Sequence, residues 1–317
     1  METLLPAHAP AGRRSTYPWG WFVVALEHEL EPGRVLPMSY FGMDLVAFRA
    51  EDGTARVASG RCPCCGFRFE PEDGVPGGVQ CPRSRVRFDG EGLGAPALGG
   101  WEPRLRGLPT HASHGFVFAW YHPTGGKPSF AIPPVVEHGK PGWLDWEVRC
   151  LEIATHPREI VENVVDFGHF IPVHQTDPKR FENAFPGHLA IQRAEGLGSS
   201  ENKYAGDSYR LVATYHGPGY QVTEFESRGL SARLVNAHTM IAPNRLHLRF
   251  GVLLQDPGDP KKGERFRRAY VDDLQKGFAQ DVAIWEHKVY RDHPVLCDGD
   301  GPIGELRRWY AQFYVVD

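Results

Sequence analysis

Over the N-terminal part of the chain the apolar runs are short, and Gly and Pro break them. Residues 33–41 and 43–49 read as two strands around Gly42, Glu51-Asp52-Gly53 is a hairpin signal, and residues 55–58 return from it. An entry segment at Tyr17 runs into a strand ending near Ala25, and residues 115–121, Gly-Phe-Val-Phe-Ala-Trp-Tyr, form the strongest strand pattern here. This punctuation predicts a small antiparallel β domain up to about Pro134, where Ile132-Pro133-Pro134 starts a connection.

The pattern then lengthens. A strand is expected over 146–153, a helix over 159–170, and strands over 209–215, 220–227, 231–240 and 246–254, most alternating with aromatics on one face. The end is helical, from about Arg267 to Tyr290 and again over 303–314. Within the first of these helices, Phe278, Val282 and Trp285 recur at helical spacing. A curved antiparallel sheet closed by a long C-terminal helix makes a deep pocket walled by strands. There is no internal repeat and no low-complexity segment.

Composition narrows the function classes. With 317 residues, 41% hydrophobic and 12% aromatic, the chain can fill two cores. A net charge of −4 without a basic patch argues against nucleic-acid binding. No apolar run is long enough for a transmembrane helix. The N-terminus lacks the basic start and apolar core of a secretory signal, so residues 1–16 are expected to be a mobile tail and the setting cytoplasmic. In that setting the six cysteines read as ligands or free thiols rather than a disulfide framework.

The chemistry concentrates in residues 162–174, Glu-Asn-Val-Val-Asp-Phe-Gly-His-Phe-Ile-Pro-Val-His. Pro172 would end or bend a helix after His169, and the turn would swing His174 back toward it. Far downstream, Asp281 lies on an apolar helix face between Phe278 and Trp285, company that a carboxylate seldom keeps without a partner or a metal. Two imidazoles and one carboxylate are the ligand set of non-haem iron(II) oxygenases.

The run Asn163-x-x-Asp166-x-x-His169-x-x-x-x-His174, followed by Asp281, resembles the iron site of Rieske non-haem iron oxygenases. The C-terminal segments Asp281-Val-Ala-Ile-Trp-Glu-His-Lys, Asp300-Gly-Pro-Ile and Arg307-Arg-Trp-Tyr-x-Gln-Phe-Tyr are similar to the steroid-acting branch, 3-ketosteroid 9α-hydroxylases and cholesterol 7-desaturases. The resemblance runs from about Tyr17 to the C-terminus and implies an α+β chain. A Rieske-like antiparallel β domain (17–134) would precede a helix-grip (START-like) catalytic domain (135–317). It further implies one iron(II) held by His169, His174 and Asp281, with Asp166 and Asn163 as catalytic residues. The activity implied is hydroxylation, demethylation or desaturation, by dioxygen, of a bulky apolar sterol, steroid or polycyclic substrate. Electrons would come from an external reductase or a partner subunit, within a homotrimer or a hetero-oligomer.

One region departs from the family. There, a Cys-x-His pair and a Cys-x-x-His pair bind a [2Fe–2S] cluster. The matching segments here are Cys62-Pro-Cys64-Cys65-Gly and Cys81-Pro-Arg83-Ser84-Arg85, so Cys64 and Ser84 stand in the histidine positions. The usual cluster is not expected, and the arginines beside Ser84 would resist a cation. Three outcomes stay open: a scaffold without a cluster; Cys62, Cys64, Cys65 and Cys81 holding an all-cysteine cluster or zinc; or an oxidised cysteine pair. In the family the second cluster histidine bonds an aspartate of the next subunit, matching Asp166. With Ser84 there, Asp166 would instead orient His169, or meet a partner subunit that keeps its cluster. The alternative function is a non-catalytic relative, acting as a ligand-binding or partner subunit. His287 and His293 read as surface residues, Trp285 as core, and His111, His114 and His122 have no acidic companion. Ser84 has no neighbouring histidine, so a hydrolase triad is not supported.

Overall fold

The computed structural model describes residues 15–95, 101–174, 176–198, 206–227, 229–297 and 299–316. The tail expected over 1–16 thus falls mostly outside the described residues. β1 (Gly20–Leu26) is an unbroken apolar run, as a strand covered on both faces must be. Phe22 and Val24 pack with Tyr40, Phe41 and Met240; Trp21 and Val23 pack with Tyr220 and Val235. β2 (Leu36–Tyr40), β3 (Met43–Arg49) and β4 (Ala55–Ser59) make a meander that turns at Gly42 and Gly53, both left-handed. β5 (Gly74–Val75), β6 (Gly78–Gln80) and β7 (Arg87–Phe88) form a small sheet of their own. β8 (Gly107–Leu108) joins the meander beyond β4, and β9 (Thr110–Ser113) pairs with β10 (Phe116–Tyr121), which lies between it and β1.

The second part opens with β11 (Glu147–Ile153), α1 (Pro157–Glu162) and α2 (Phe170–His174). Next come β12 (Thr176–Ala184), β13 (Leu189–Gly198), β14 (Ser208–His216), β15 (Tyr220–Ser227), β16 (Leu230–Ala242) and β17 (Arg245–Leu254). They form one antiparallel sheet in the order β11-β17-β16-β15-β14-β13-β12. α3 (Pro260–Trp285) lies against it, its start fixed by Asp259, which accepts the N–H groups of Lys261 and Lys262, and by Pro260 in the first turn. Its buried side packs Val271 and Trp285 with Ile160, Leu248 and Phe250. α4 (Ile303–Ala311) covers Val161, Val164 and Val165 with Leu306, Trp309 and Tyr310. Among the described residues no helix is long and apolar enough to cross a membrane.

The structure corrects the expected elements. The helix over 159–170 is broken, because residues 163–169 combine weak helix formers with buried Val164 and Val165 that the α4 cluster holds. Pro172 lies in the first turn of α2, where its missing N–H is not needed. β12 and β13 were not anticipated. β12, Thr-Asp-Pro-Lys-Arg-Phe-Glu-Asn-Ala, has no apolar alternation, because it is the sheet edge; its Pro178 sits at a register shift. The parts interlock: Thr239 Oγ1 donates to the Val23 carbonyl at 2.6 Å, Arg249 reaches the Val24 carbonyl at 3.3 Å and the Tyr40 hydroxyl at 3.0 Å. At the chain ends the Trp19 N–H donates to the Phe313 carbonyl at 2.7 Å and the Ser15 N–H to the Val315 carbonyl at 2.8 Å.

Candidate metal centres

A cavity of about 620 Å³ lies between the seven-stranded sheet and α3, within the roughly 300–1,000 Å³ span of small-molecule sites. Leu211, Phe225, Leu234 and Phe278 give it an apolar wall; Asn163, His169 and Asp281 also line it. His169 lies in the turn between α1 and α2, and its Nδ1 faces the Asp166 main-chain carbonyl at hydrogen-bond distance. An Nδ1–H held there leaves the Nε2 lone pair for a metal. The Asp166 carboxylate stands farther off, 3.8 Å from Nδ1, and its side chain is 37% exposed. The orienting group nearest His169 is therefore the backbone of Asp166. Burial alone would lower the His169 pKa; hydrogen bonding to Asp166 and the charge of Asp166 outweigh it, and the net direction is up. The nearby His169 ring holds the Asp166 carboxyl below its usual range.

Asp281 projects from α3 and is only 5% exposed. Burial pushes its carboxyl up to about 6, against the pull of His169 and a hydrogen bond from Asn163. Asn163 Oδ1 accepts the Trp285 indole N–H at 3.2 Å, which turns the amide nitrogen toward Asp281. Trp285 is thus a core residue that also positions a cavity residue. His174 closes α2; its side chain lies outside the described residues.

The cysteine loops follow β4 and β6. Cys62, Cys65 and Cys81 bring their sulfurs within 4.8 Å of one another. Ser84 Oγ is 3.4 Å from Cys62 Sγ. Burial would raise the Cys62 thiol, but hydrogen bonds from Ser84 and from the backbone of Cys64 and Cys65 bring it down to about 7. Cys64 stands outside the three-sulfur group. Arg83 and Arg85 are exposed, so their charges sit in solvent rather than against the sulfurs. The loops hold no histidine, so they do not fit a histidine-ligated [2Fe–2S] cluster.

His114 is a core histidine, Nε2 2.7 Å from the Tyr220 hydroxyl, with burial lowering its pKa to about 3. His287 is exposed, with Nδ1 against the Ala283 carbonyl, and His293 is exposed as well. Sequence reasoning missed the polar lining of the cavity: Gln192, Gln221, Thr223 and Asn236. Asn236 donates to Gln221 Oε1 at 2.8 Å, whereas the buried Gln192 Nε2 has no hydrogen-bond partner among the described residues. The signal was present in β13, where Ala190, Gln192 and Ala194 alternate inward between more exposed neighbours.

Residues 119–314 match the family described as the 3-ketosteroid 9α-hydroxylase C-terminal domain, and residues 20–102 match the Rieske [2Fe-2S] domain. A probable 3-ketosteroid-9-alpha-monooxygenase oxygenase component of Rhodococcus rhodochrous is 36% identical, over 94% of this chain and 80% of that protein. The oxygenase component of Mycobacterium tuberculosis is 31% identical, covering 94% and 82%. Cholesterol 7-desaturase of Caenorhabditis elegans is 26% identical, covering 94% and 77%. The fold is that of dicamba monooxygenase bound to dicamba, with a TM-score of 0.73 at 19% identity over 93% of this chain and 96% of that one. The carboxylate and imidazole on one cavity, the β domain with its paired cysteine loops, and these similarities together identify the chain as a member of the Rieske oxygenase α-subunit family, in its 3-ketosteroid 9α-hydroxylase-like steroid branch.

Proposed function

We propose that the chain is a non-haem iron(II) oxygenase that hydroxylates, demethylates or desaturates a bulky apolar substrate of the sterol, steroid or polycyclic class. Its iron would be held by His169, His174 and Asp281. The observation that carries this reading is Asp281, a buried carboxylate beside His169 on the wall of a large apolar cavity. A cation there offsets the desolvation of the carboxylate. When bound, iron(II) supplies open coordination positions and redox chemistry with dioxygen.

The chain's own residues do the rest. The Asp166 carbonyl fixes the His169 ring, Asn163 steadies Asp281, and the apolar wall excludes water from a hydrocarbon skeleton. The Gln192 amide suits a hydroxyl or keto oxygen of the substrate. In this reading residues 17–134 form the Rieske-like domain and residues 135–317 a helix-grip catalytic domain. The relatives' names as oxygenase components support a separate reductase. The partly exposed Asp166 carboxylate supports contact with a neighbouring subunit in a trimer or hetero-oligomer. A second reading, a ligand-binding or partner subunit, is favoured by Cys64 and Ser84 in the cluster loops.

The test is single-turnover product analysis with a panel of 3-ketosteroids, sterols and polycyclic compounds. One arm uses reductase and NADH, one uses peroxide, and one adds a cluster-bearing oxygenase subunit. Product is expected in the peroxide and mixed-subunit arms. Silence in every arm, with iron and substrate both bound, selects the binding or partner-subunit reading.

A further inference from the structure

Two loops of the N-terminal domain share one hydrogen-bond pattern. The Cys62 N–H donates to the Phe67 carbonyl and the Gly66 N–H to the Cys62 carbonyl, both at 2.8 Å. In the second loop the Cys81 N–H donates to the Val86 carbonyl and the Arg85 N–H to the Cys81 carbonyl, both at 2.9 Å. Gly66 and Arg85, the fifth residue of each loop, are both left-handed, with φ of 71° and 62°. A non-glycine residue held there is uncommon, and it marks the second loop as fixed by its pattern rather than by glycine freedom.

This correspondence aligns Cys62 with Cys81 and Cys65 with Ser84; Cys64 falls opposite Arg83. In each loop the first sulfur accepts main-chain N–H groups: Ser84 N–H to Cys81 Sγ at 3.4 Å, and those of Cys64 and Cys65 to Cys62. Four side chains at equivalent positions of two loops are the geometry of a Cys-x-x-Cys pair facing a second pair, with one cysteine replaced by serine.

Distances separate the possible occupants. Cys65 Sγ and Cys81 Sγ are 3.6 Å apart. Metal–sulfur bonds of about 2.3 Å on a tetrahedral ion place two sulfurs about 3.8 Å apart, whereas a disulfide needs about 2.05 Å. A two-iron cluster requires its ligand pairs at opposite ends. Here three sulfurs gather within 4.8 Å of one another, as around one ion.

We propose that Cys62, Cys65 and Cys81 hold one tetrahedral thiolate-bound ion, zinc or a single iron, with the Ser84 hydroxyl or a water at the fourth corner. The ion replaces the electron-carrying cluster and ties the β6–β7 hairpin to the loop after β4. Cys62 and Cys81 already stand in the core there, with Phe69 and Phe88.

The experiment is elemental and labile-sulfide analysis of the full-length protein, purified without chelator, alongside Asp281→Ala and, each made on the Asp281→Ala background, Cys65→Ser, Cys64→Ser and Ser84→Cys. Asp281→Ala removes the cavity metal, so what remains reports the loops. One ion per chain is expected to persist in Asp281→Ala and Cys64→Ser, to be lost in Cys65→Ser, and to leave more slowly to a chromophoric chelator in Ser84→Cys. The elemental analysis distinguishes zinc from iron, and circular dichroism checks each variant's fold. Should Cys65→Ser not fold, titrating the native protein with an organomercurial must release the ion together with loss of the free thiols. Two irons with labile sulfide, retention in Cys65→Ser, loss in Cys64→Ser, or no metal at all in Asp281→Ala would overturn the assignment.

Discussion

The Trp285 indole N–H donates to Asn163 Oδ1 at 3.2 Å, across 122 positions of sequence, and so locks the C-terminal end of α3 to the turn that carries His169. The other end of the same amide holds Asp281. In Asn163→Ala the indole donor is left buried and unpaired, and a loss of about 1–3 kcal/mol in urea unfolding is expected. Iron affinity should fall about 10–100-fold, as when the groups supporting a metal ligand are removed. Unchanged iron affinity would mean that Asn163 only caps the core.

Asp166 offers two groups with separate jobs, a carbonyl that meets His169 and a carboxylate that is partly exposed. Asp166→Asn keeps the carbonyl, so iron content and peroxide-driven turnover should survive. Turnover with a cluster-bearing partner subunit should be lost. Equal damage to both would assign the carboxylate to the support of His169 instead.

Gly277 lines the cavity from α3, and a Cβ added there meets no atom within 4 Å. Gly277→Leu should therefore have opposite effects on stability and binding. Helix propensity favours leucine by about 0.8 kcal/mol, which raises the urea midpoint, while the new side chain occupies substrate volume. Weaker steroid binding in a more stable protein is the expected result, read by ligand titration beside unfolding. Full binding would show that the substrate lies elsewhere.

Burial holds His114, His156, His216 and His238 neutral, with pKa values of about 3, 3, 4 and 4. Each is depressed below its unfolded value of about 6.5, so the unfolded chain binds more protons as the solution is acidified. The stability is fully present above about pH 6.5 and is lost progressively toward the folded-state values, at about 1.4 kcal/mol per histidine by about pH 5.5. Urea midpoints measured from neutral to mildly acid pH should fall steeply, and His114→Gln should flatten the fall by one proton. A flat profile in the unmodified protein would refute the neutral assignment.

The sequence carried those parts of the fold in which a residue's partners are legible from its own neighbours. The strands over 209–254 alternate because one face meets the core, and Asp281 stood out because Phe278 and Trp285 flank it in sequence. What failed depended on remote partners. The helix expected over 159–170 breaks where Val164 and Val165 meet α4, more than a hundred residues away. The β12 edge strand has no inward apolar row to announce it. The cysteine loops were legible as a departure from a motif, but which sulfurs converge is set by backbone turns. Those turns bring Cys65, and not Cys64, to Cys81.

The main-chain bonds from Ser15 to Val315 and from Trp19 to Phe313 have a consequence for the order in which the molecule can be finished. The residues leading into β1 are synthesised long before the partners that hold them. The entry segment must wait undocked until residues 313–315 are made, and Trp21 and Val23 lack their β15 and β16 partners until those strands form. A fragment ending before β15 would leave that face of β1 uncovered, so it should be aggregation-prone rather than an independent β domain.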